Sequence, residues 1–217
     1  MQANPFKVLR TYYTALRTWH DNNCFRRRLL SEAINVVTSR VVYDWEFAKN
    51  DKGETERAIR LRLVQRGYMD AEAFDVETSS ETSRRVNRKL LASAAACNRK
   101  LVTDSFGIDK AFLEGLTGKE LAAAADENER QACFALPPGS AAVLRQLPGS
   151  SNYDEAKHCL QCLGPGAGAK GAPRAFALKL NAITRGFVFQ GTKCDEEFEV
   201  SSNLITAKHV DDVNVAG

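Results

Sequence analysis

The sequence predicts an α+β fold. Helical periodicities and a β-hairpin signal share the first hundred residues, the last fifteen read as strand, tight turn and strand, and no regular strand–helix–strand alternation runs along the chain. With 217 residues, 44% of them hydrophobic and 26% charged, the chain has the composition of a globular protein and can bury a core.

Residues 5–20 have Phe6, Leu9, Tyr13 and Leu16 at three- and four-residue spacing behind Pro5, a good first-turn residue, and predict an amphipathic helix. A second helix is expected over 28–38. From Ser39 the run RVVYDWEFAKNDKGETERAIRLRLVQRGY holds two β-prone stretches around the turn formers of NDKGE, a hairpin signal. In its second arm Arg60 and Arg62 fall on one face, with Leu61 and Leu63 on the other. Thr78 and Glu81 form a possible capping box, opening a helix with Val86, Leu90, Ala94 and Cys97 on one stripe. A strand through KLVTDSFGID follows, then AFLEG, an Ala-rich helix near 118–130, a short strand in ACFALPPG and a loop-rich stretch over 139–158. The Gly-rich GPGAGAKGAPR leads into a helix through AFALKLNAITRG, and after GFVFQG and an acidic turn comes NLITAKHVDDVNVAG, two strands about a tight turn.

No apolar run approaches the roughly 20 residues of a membrane-spanning helix. The N-terminus carries charge where a secretory signal needs an apolar stretch, so a cytoplasmic or nuclear, non-secreted setting is expected. The six cysteines then read as reduced thiols. Cys159 and Cys162 form a lone C-x-x-C beside His158, without the second ligand pair of a structural zinc site. The net charge is only +3, but Lys and Arg outnumber Asp and Glu by 7 to 2 over residues 1–40, whereas residues 101–217 hold 11 against 15. That gradient suits an N-terminal part meeting phosphates and a C-terminal part holding carboxylates; charge alone fits solvated helix faces equally well.

The chemistry concentrates at the end of the chain. Asp211 and Asp212 sit between two β-prone runs, where a hairpin tip would present oxygen ligands to Mg²⁺, although turns also favour Asp for backbone reasons. Further segments fall in a telling order. HVDDVNVAG (209–217) is similar to the Tyr-x-Asp-Asp hairpin of reverse transcriptases, with an apolar-Ala-Gly ending. KGAPRAF (170–176) resembles Lys-Gln-Ala-Pro-Arg-Ala-Trp, LPPG (136–139) matches a Pro-Pro-Gly turn, AFLEG (111–115) matches Ala-Phe-Leu-x-Gly, and RLRLVQRGY (60–68) looks like Lys-Ala-Arg-Leu-Val-x-Arg-Gly-Phe. Even VVYDWEFAKNDKGE is similar to the Val-Tyr-x-Trp-Lys and Asp-Gly hairpin of the same set, with Glu46 in place of the Lys and Lys52 between the Asp and the Gly. Together these resemble the reverse transcriptase of copia-type LTR retrotransposons over residues 39–217.

The resemblance implies fingers and palm, with an antiparallel palm sheet packed on helices, behind a basic helical extension at 1–38. The chain stops just past the acidic hairpin, so thumb, connection and RNase H portions are expected to be absent. The implied activity is RNA-directed DNA polymerisation by two-metal phosphoryl transfer with Mg²⁺ (or Mn²⁺), a primer–template of RNA or DNA and a deoxynucleoside triphosphate as partners, and no membrane. Carried over by position, Asp211 would bind metal with Asp212 beside it, Arg62 and Arg66 would contact the triphosphate, and Lys170 would lie near the nucleotide.

Departures from the pattern point to a degenerate copy. The family's first catalytic Asp stands four residues before the Ala of Ala-Phe-Leu, and here that position is Gly107. Asp109 lies two residues on and Asp104 three before. Two residues of extended strand span about 6.6 Å, whereas Mg²⁺–oxygen distances are about 2.0–2.1 Å, so Asp109 substitutes as catalytic and metal-binding residue only if the strand slips or bulges. His209 replaces the usual Tyr, Gly171 replaces Gln, Phe176 replaces Trp, and GAGA stands for Leu-Tyr-Gly-Leu. Two other readings remain: a non-catalytic nucleic-acid-binding fragment, and a dinucleotide-binding domain using Gly166, Gly168 and Gly171 with Asp195 beyond, a fingerprint that requires a preceding strand in a parallel βαβ unit. A P-loop is excluded because Ala169, not Gly, precedes Lys170.

Overall fold

A computed structural model describes residues 5–49, 52–80, 82–98, 100–126 and 128–217. In chain order the first elements are α1 (Pro5–Asp21), β1 (Phe25–Leu29), β2 (Val36–Lys49), β3 (Thr55–Gln65), α2 (Arg85–Cys97), β4 (Thr103–Gly107), α3 (Gly118–Ala125) and β5 (Cys133–Ala135). There follow α4 (Ala141–Leu144), β6 (His158–Cys162), α5 (Ala172–Gly186), β7 (Gln190–Thr192), β8 (Asp195–Val200), β9 (Ile205–His209) and β10 (Asp212–Ala216). Among the described residues, two five-stranded, mostly antiparallel sheets and five helices make the fold α+β, as expected. The chain divides into two compact units, one of residues up to Val76 with Thr117–Ala172, the other of Glu77–Leu116 with Pro173–Gly217. Among the described residues no helix is long and apolar enough to cross a membrane.

The first unit is built on the sheet β1-β6-β5-β2-β3, antiparallel except for the parallel β2–β5 pair. Helix α1 lies where the periodicity puts it, but its buried stripe is Tyr12, Leu16 and Trp19, while Phe6 and Leu9 are exposed. Trp19 tilts against Phe134 with ring centroids 5.6 Å apart, and Phe25 meets the same ring edge-on at 6.2 Å. This aromatic packing selects which helix face goes inward.

The helix expected over 28–38 is absent. Residues 25–29 pair with β6, Leu30–Glu32 form a short 3-10 turn, and β2 begins at Val36, so that it runs through the expected boundary at residue 38. The β-branched Val36, Val37 and Thr38 favour the pleated backbone, and pairing with β5 decides the matter. The β2–β3 hairpin forms as read, from Ser39↔Gln65 to Lys49↔Thr55, with Leu61 and Leu63 buried and Arg60 and Arg62 exposed. Asn50 and Asp51 of its turn lie outside the described residues.

The second unit carries the sheet β4-β10-β9-β8-β7, antiparallel throughout. Leu91 of α2 packs on Ala207 and Ala216 with Phe198 and Ile205 beside them. Of the expected stripe, Val86, Leu90 and Cys97 are exposed and Ala94 is half-buried. Glu81 of the anticipated capping box lies outside the described residues; α2 starts at Arg85, and Asp195 accepts hydrogen bonds from the backbone N–H of Arg84 and the side chains of Ser83 and Asn87. Asp195 therefore anchors the helix start from a distant strand, which a local motif search does not see. A true capping box, missed in the sequence, opens α3: Thr117 Oγ1 accepts from Glu120 N–H, and the Glu120 carboxylate accepts from Thr117 N–H.

Candidate functional site

The acidic hairpin and the strand carrying Gly107 are neighbours. β10 pairs on one side with β4, in register Asp212↔Gly107, and on the other with β9, in register Asp212↔His209. The Ile108 N–H donates to Asp211 O at 2.8 Å, which holds the tip against the end of β4. A β-carbon placed on Gly107 would stand 3.7 Å from Asp212 Oδ1, with nothing closer. The register thus aligns Asp212, not Asp211, with position 107, on the side of the sheet that α2 covers farther along. Both aspartates are exposed.

Between β9 and β10 the chain turns in two residues, Val210 and Asp211, with Val210 at φ +57°. A β-branched residue in the left-handed region is strained by about 1–3 kcal/mol, and such strain gathers at ligand-binding tips. Asp109 lies beyond the end of β4, 78% exposed, in an ion pair of 3.3 Å with Lys110. Asp104 pairs with Val215, three residues down β4 from Gly107. The carboxylates at the tip are therefore Asp211 and Asp212, and among the described residues no group of three or more His, Cys, Asp and Glu is disposed to hold a metal ion. Two-metal chemistry needs carboxylates on both sides of the ion pair it holds. The residues present do not fit Mg²⁺ or Mn²⁺ in that role.

Beneath the tip, on the opposite face of the sheet, lies a buried polar cluster that sequence reasoning passed over. Lys208 is 2% exposed, and its ammonium donates to Glu199 Oε1 at 2.7 Å, stands 3.3 Å from Glu197 Oε2, and also reaches Asn181 Oδ1 and Thr184 Oγ1. Asn181 and Thr184 of α5 in turn donate to Glu197 at 2.8 Å and to Glu199 at 2.9 Å. Burial pushes the Glu197 carboxyl above its ordinary value, against the pull of Asn181 and Lys208. Glu199 Oε2 and Thr206 Oγ1, directly opposite each other on β8 and β9, are buried without partners. The readable signal was Glu-Phe-Glu at period two facing a lone strand lysine; a reading of the segment as an acidic turn hid it.

The phosphate-binding candidates lie in the first unit. The Gly-rich loop docks on the end of β3, where Gln65 N–H donates to Ala167 O at 2.8 Å and Gly67 N–H to Gly168 O at 3.2 Å. A β-carbon on Gly67, the residue after Arg66, would stand 3.0 Å from the backbone N of Lys170. Arg66 donates to Thr38 Oγ1 at 3.4 Å. Arg62, four residues back along β3, pairs with Asp44 at 3.2 Å.

The glycines of the loop serve this docking. Gly166 leaves room for the Trp19 ring, and Gly168, at φ +86°, sits against Gln65 O and Val64. The preceding strand β6 is antiparallel to both its neighbours, β1 and β5, and Asp195 is occupied at α2. Burial raises the Cys162 thiol to about 12 and the Cys159 thiol to about 11, which disfavours the reactive thiolate.

No protein-family model, curated protein or solved structure matches the chain.

Proposed function

We propose that the chain is the fingers and palm portion of a copia-type retrotransposon reverse transcriptase, in a copy whose catalytic centre has lost the carboxylate of its middle strand. The observation that carries this reading is the pairing of Gly107 with Asp212. The resemblance implies that the strand before AFLEG runs beside the acidic hairpin, and these segments, over a hundred residues apart, are hydrogen-bonded neighbours. The close approach of the Gly67 and Lys170 backbones, from segments similarly distant in sequence, supports it further. With glycine at 107 the pocket has one acidic side, so the copy does not polymerise.

Two measurements test this. Oligo(dT) extension on poly(A) with Mg²⁺ or Mn²⁺ is expected to give no product; robust extension abolished by Asp211→Asn would falsify the inactivity. Gly107→Asp has room, since its nearest neighbour is Asp212 Oδ1 at 3.7 Å. It should crowd carboxylates at the tip and so acquire a cation-dependent rise of a few degrees in Tm that the parent lacks. A variant that folds but ignores both cations would remove the ground for a shared metal pocket.

A further inference from the structure

The first sheet ends on a strand of three arginines. β1, Phe-Arg-Arg-Arg-Leu, pairs on one side only, with β6, and forms an edge of the order β1-β6-β5-β2-β3. Two bonds of 2.9 Å bracket its ladder, Leu30 N–H to Lys157 O and Leu163 N–H to Cys24 O, in the register that sets Arg26 against Gln161 and Arg28 against Cys159. Antiparallel hydrogen bonding alternates along a strand. Arg26 and Arg28 therefore turn their backbone groups toward β6, and Phe25, Arg27 and Leu29 turn theirs outward. Phe25 is buried and meets the His20 ring edge-on. Arg27 and Leu29 are exposed, so the open edge offers their N–H and C=O groups to an incoming strand.

The side chains beside that edge are arranged for anions. Arg26 Nε donates to Gln161 Oε1 at 3.0 Å, and Arg28 Nη1 donates to the same oxygen at 3.1 Å and to Gln131 Oε1 at 2.8 Å. Gln161 is 4% exposed, so one fixed amide holds both guanidiniums on one face of β1. Arg28 Nε is shielded from water and has no hydrogen-bond partner, and a buried guanidinium donor favours an acceptor strongly. An open groove of about 720 Å³ is lined by all three arginines and by one carboxylate, Glu32. Charge on an edge strand often serves only to keep other strands off. That role needs neither the amide clamps nor the shielded donor.

We propose that the β1 edge binds an extended acidic peptide, added to the sheet as one more antiparallel strand with carboxylates at alternate positions. Residues directly opposite each other in such a pair share a face, with β-carbons about 4.5–5.5 Å apart. A Val-Glu-Val-Glu segment therefore sets Val against Leu29, Glu against Arg28, Val against Arg27 and Glu against Arg26. Both carboxylates reach guanidinium forks, which match them in shape, and both valines bond to the outward backbone groups of Arg27 and Leu29. The backbone selects a peptide over other polyanions, because a phosphate chain has no N–H in register with the edge carbonyls. A second copy of the same strand is disfavoured by charge, since antiparallel self-pairing lays Arg26 on Arg28. The inference concerns a different strand and a different partner from the proposed function and does not rest on it.

The test follows the fluorescence anisotropy of a labelled Thr-Val-Glu-Val-Glu-Thr peptide titrated with the full chain. Saturable binding that weakens as salt rises is expected. Arg28→Gln should weaken it roughly tenfold, the loss of one charge-assisted pair. Arg60→Gln, on β3 at the opposite edge of the sheet, should leave it unchanged. With the unaltered protein, N-methylation of the valine between the two glutamates should abolish binding. N-methylation of the second glutamate, whose N–H faces away from β1, should not. Absence of saturable binding, equal binding of the two methylated peptides, or equal binding of a Val-Gln-Val-Gln analogue would each overturn the proposal. So would displacement by a single-stranded DNA of about ten nucleotides as effective as that by unlabelled peptide, which would make the edge a general polyanion patch. None of these outcomes touches the Gly107→Asp test, so the two readings fail separately.

Discussion

Lys208 decides how the second unit tolerates its own acidity. Two glutamates and one ammonium share a closed space, and burial raises the Glu197 carboxyl above its ordinary value. Lys208→Met leaves buried carboxylates without a counter-charge and is expected to cost about 3–5 kcal/mol in urea unfolding. Because Glu197 is held above 4.5 in the folded state, its contribution is fullest while both states are protonated and is lost as pH rises from 4.5 through the folded value. The variant should therefore recover stability in acid more than the parent does. A pH-independent loss would mean that the lysine acts through packing alone. Little of this was legible in the sequence, because a buried ion cluster shows itself only through cross-strand register, here Glu199 opposite Thr206.

Helices, hairpins and turns were far more legible than the faces they bury. Period-two alternation located both arms of the β2–β3 hairpin, and the apolar–acidic–apolar pattern located β9 and β10. The inward faces of α1 and α2 were misjudged by about one position, since Trp19 and Leu91 found partners that no local pattern encodes. The 28–38 helix failed for the related reason that its apolar spacing fits a helix while its pairing partners, β5 and β6, lie a hundred residues away. At the Gly-rich loop the two descriptions separate cleanly. Gly168→Ala must clear Gln65 O and Val64 at a positive φ and should cost about 2 kcal/mol or more in thermal unfolding. Gly171→Ala meets only ordinary contact, Val76 at 3.7 Å, and should be near neutral. Equal effects at the two positions would argue against docking as the reason for the first.

At the scale of the whole molecule the two units differ in how they are held. The first has a broad apolar core and a polar tie, in which Asp70 accepts from Asn35 at 2.8 Å and from Arg130 at 2.8 and 2.9 Å. Burial alone would raise the Asp70 carboxyl, but the hydrogen bonds from Asn35 and Arg130 outweigh it and hold the group below 3.8. That stabilisation is present above 3.8 and is lost as pH falls through the folded value, opposite to Glu197. The second unit rests on a cluster of Leu91, Ala207 and Ala216 and exposes Val86, Leu90, Phe106 and Phe187. Both tryptophans belong to the first unit, so their fluorescence reports it alone. Denaturation followed by fluorescence and by far-ultraviolet circular dichroism is expected to give separate midpoints near neutral pH, the fluorescence one higher, with the gap narrowing toward about pH 4. Curves that coincide at every pH would show one cooperative block instead.

One consequence follows from the ladder that joins β4, β10 and β9. A strand slipped by a single residue presents its opposite side everywhere along its length. For β10 that would take Ala216 out of its packing with Leu91 and carry Asp212 through to the lysine-bearing face. The buried packing of Ala216 against Leu91 therefore works as the alignment key for the acidic tip, four residues and roughly 13 Å away. Where the aspartates point is set from the far end of the strand.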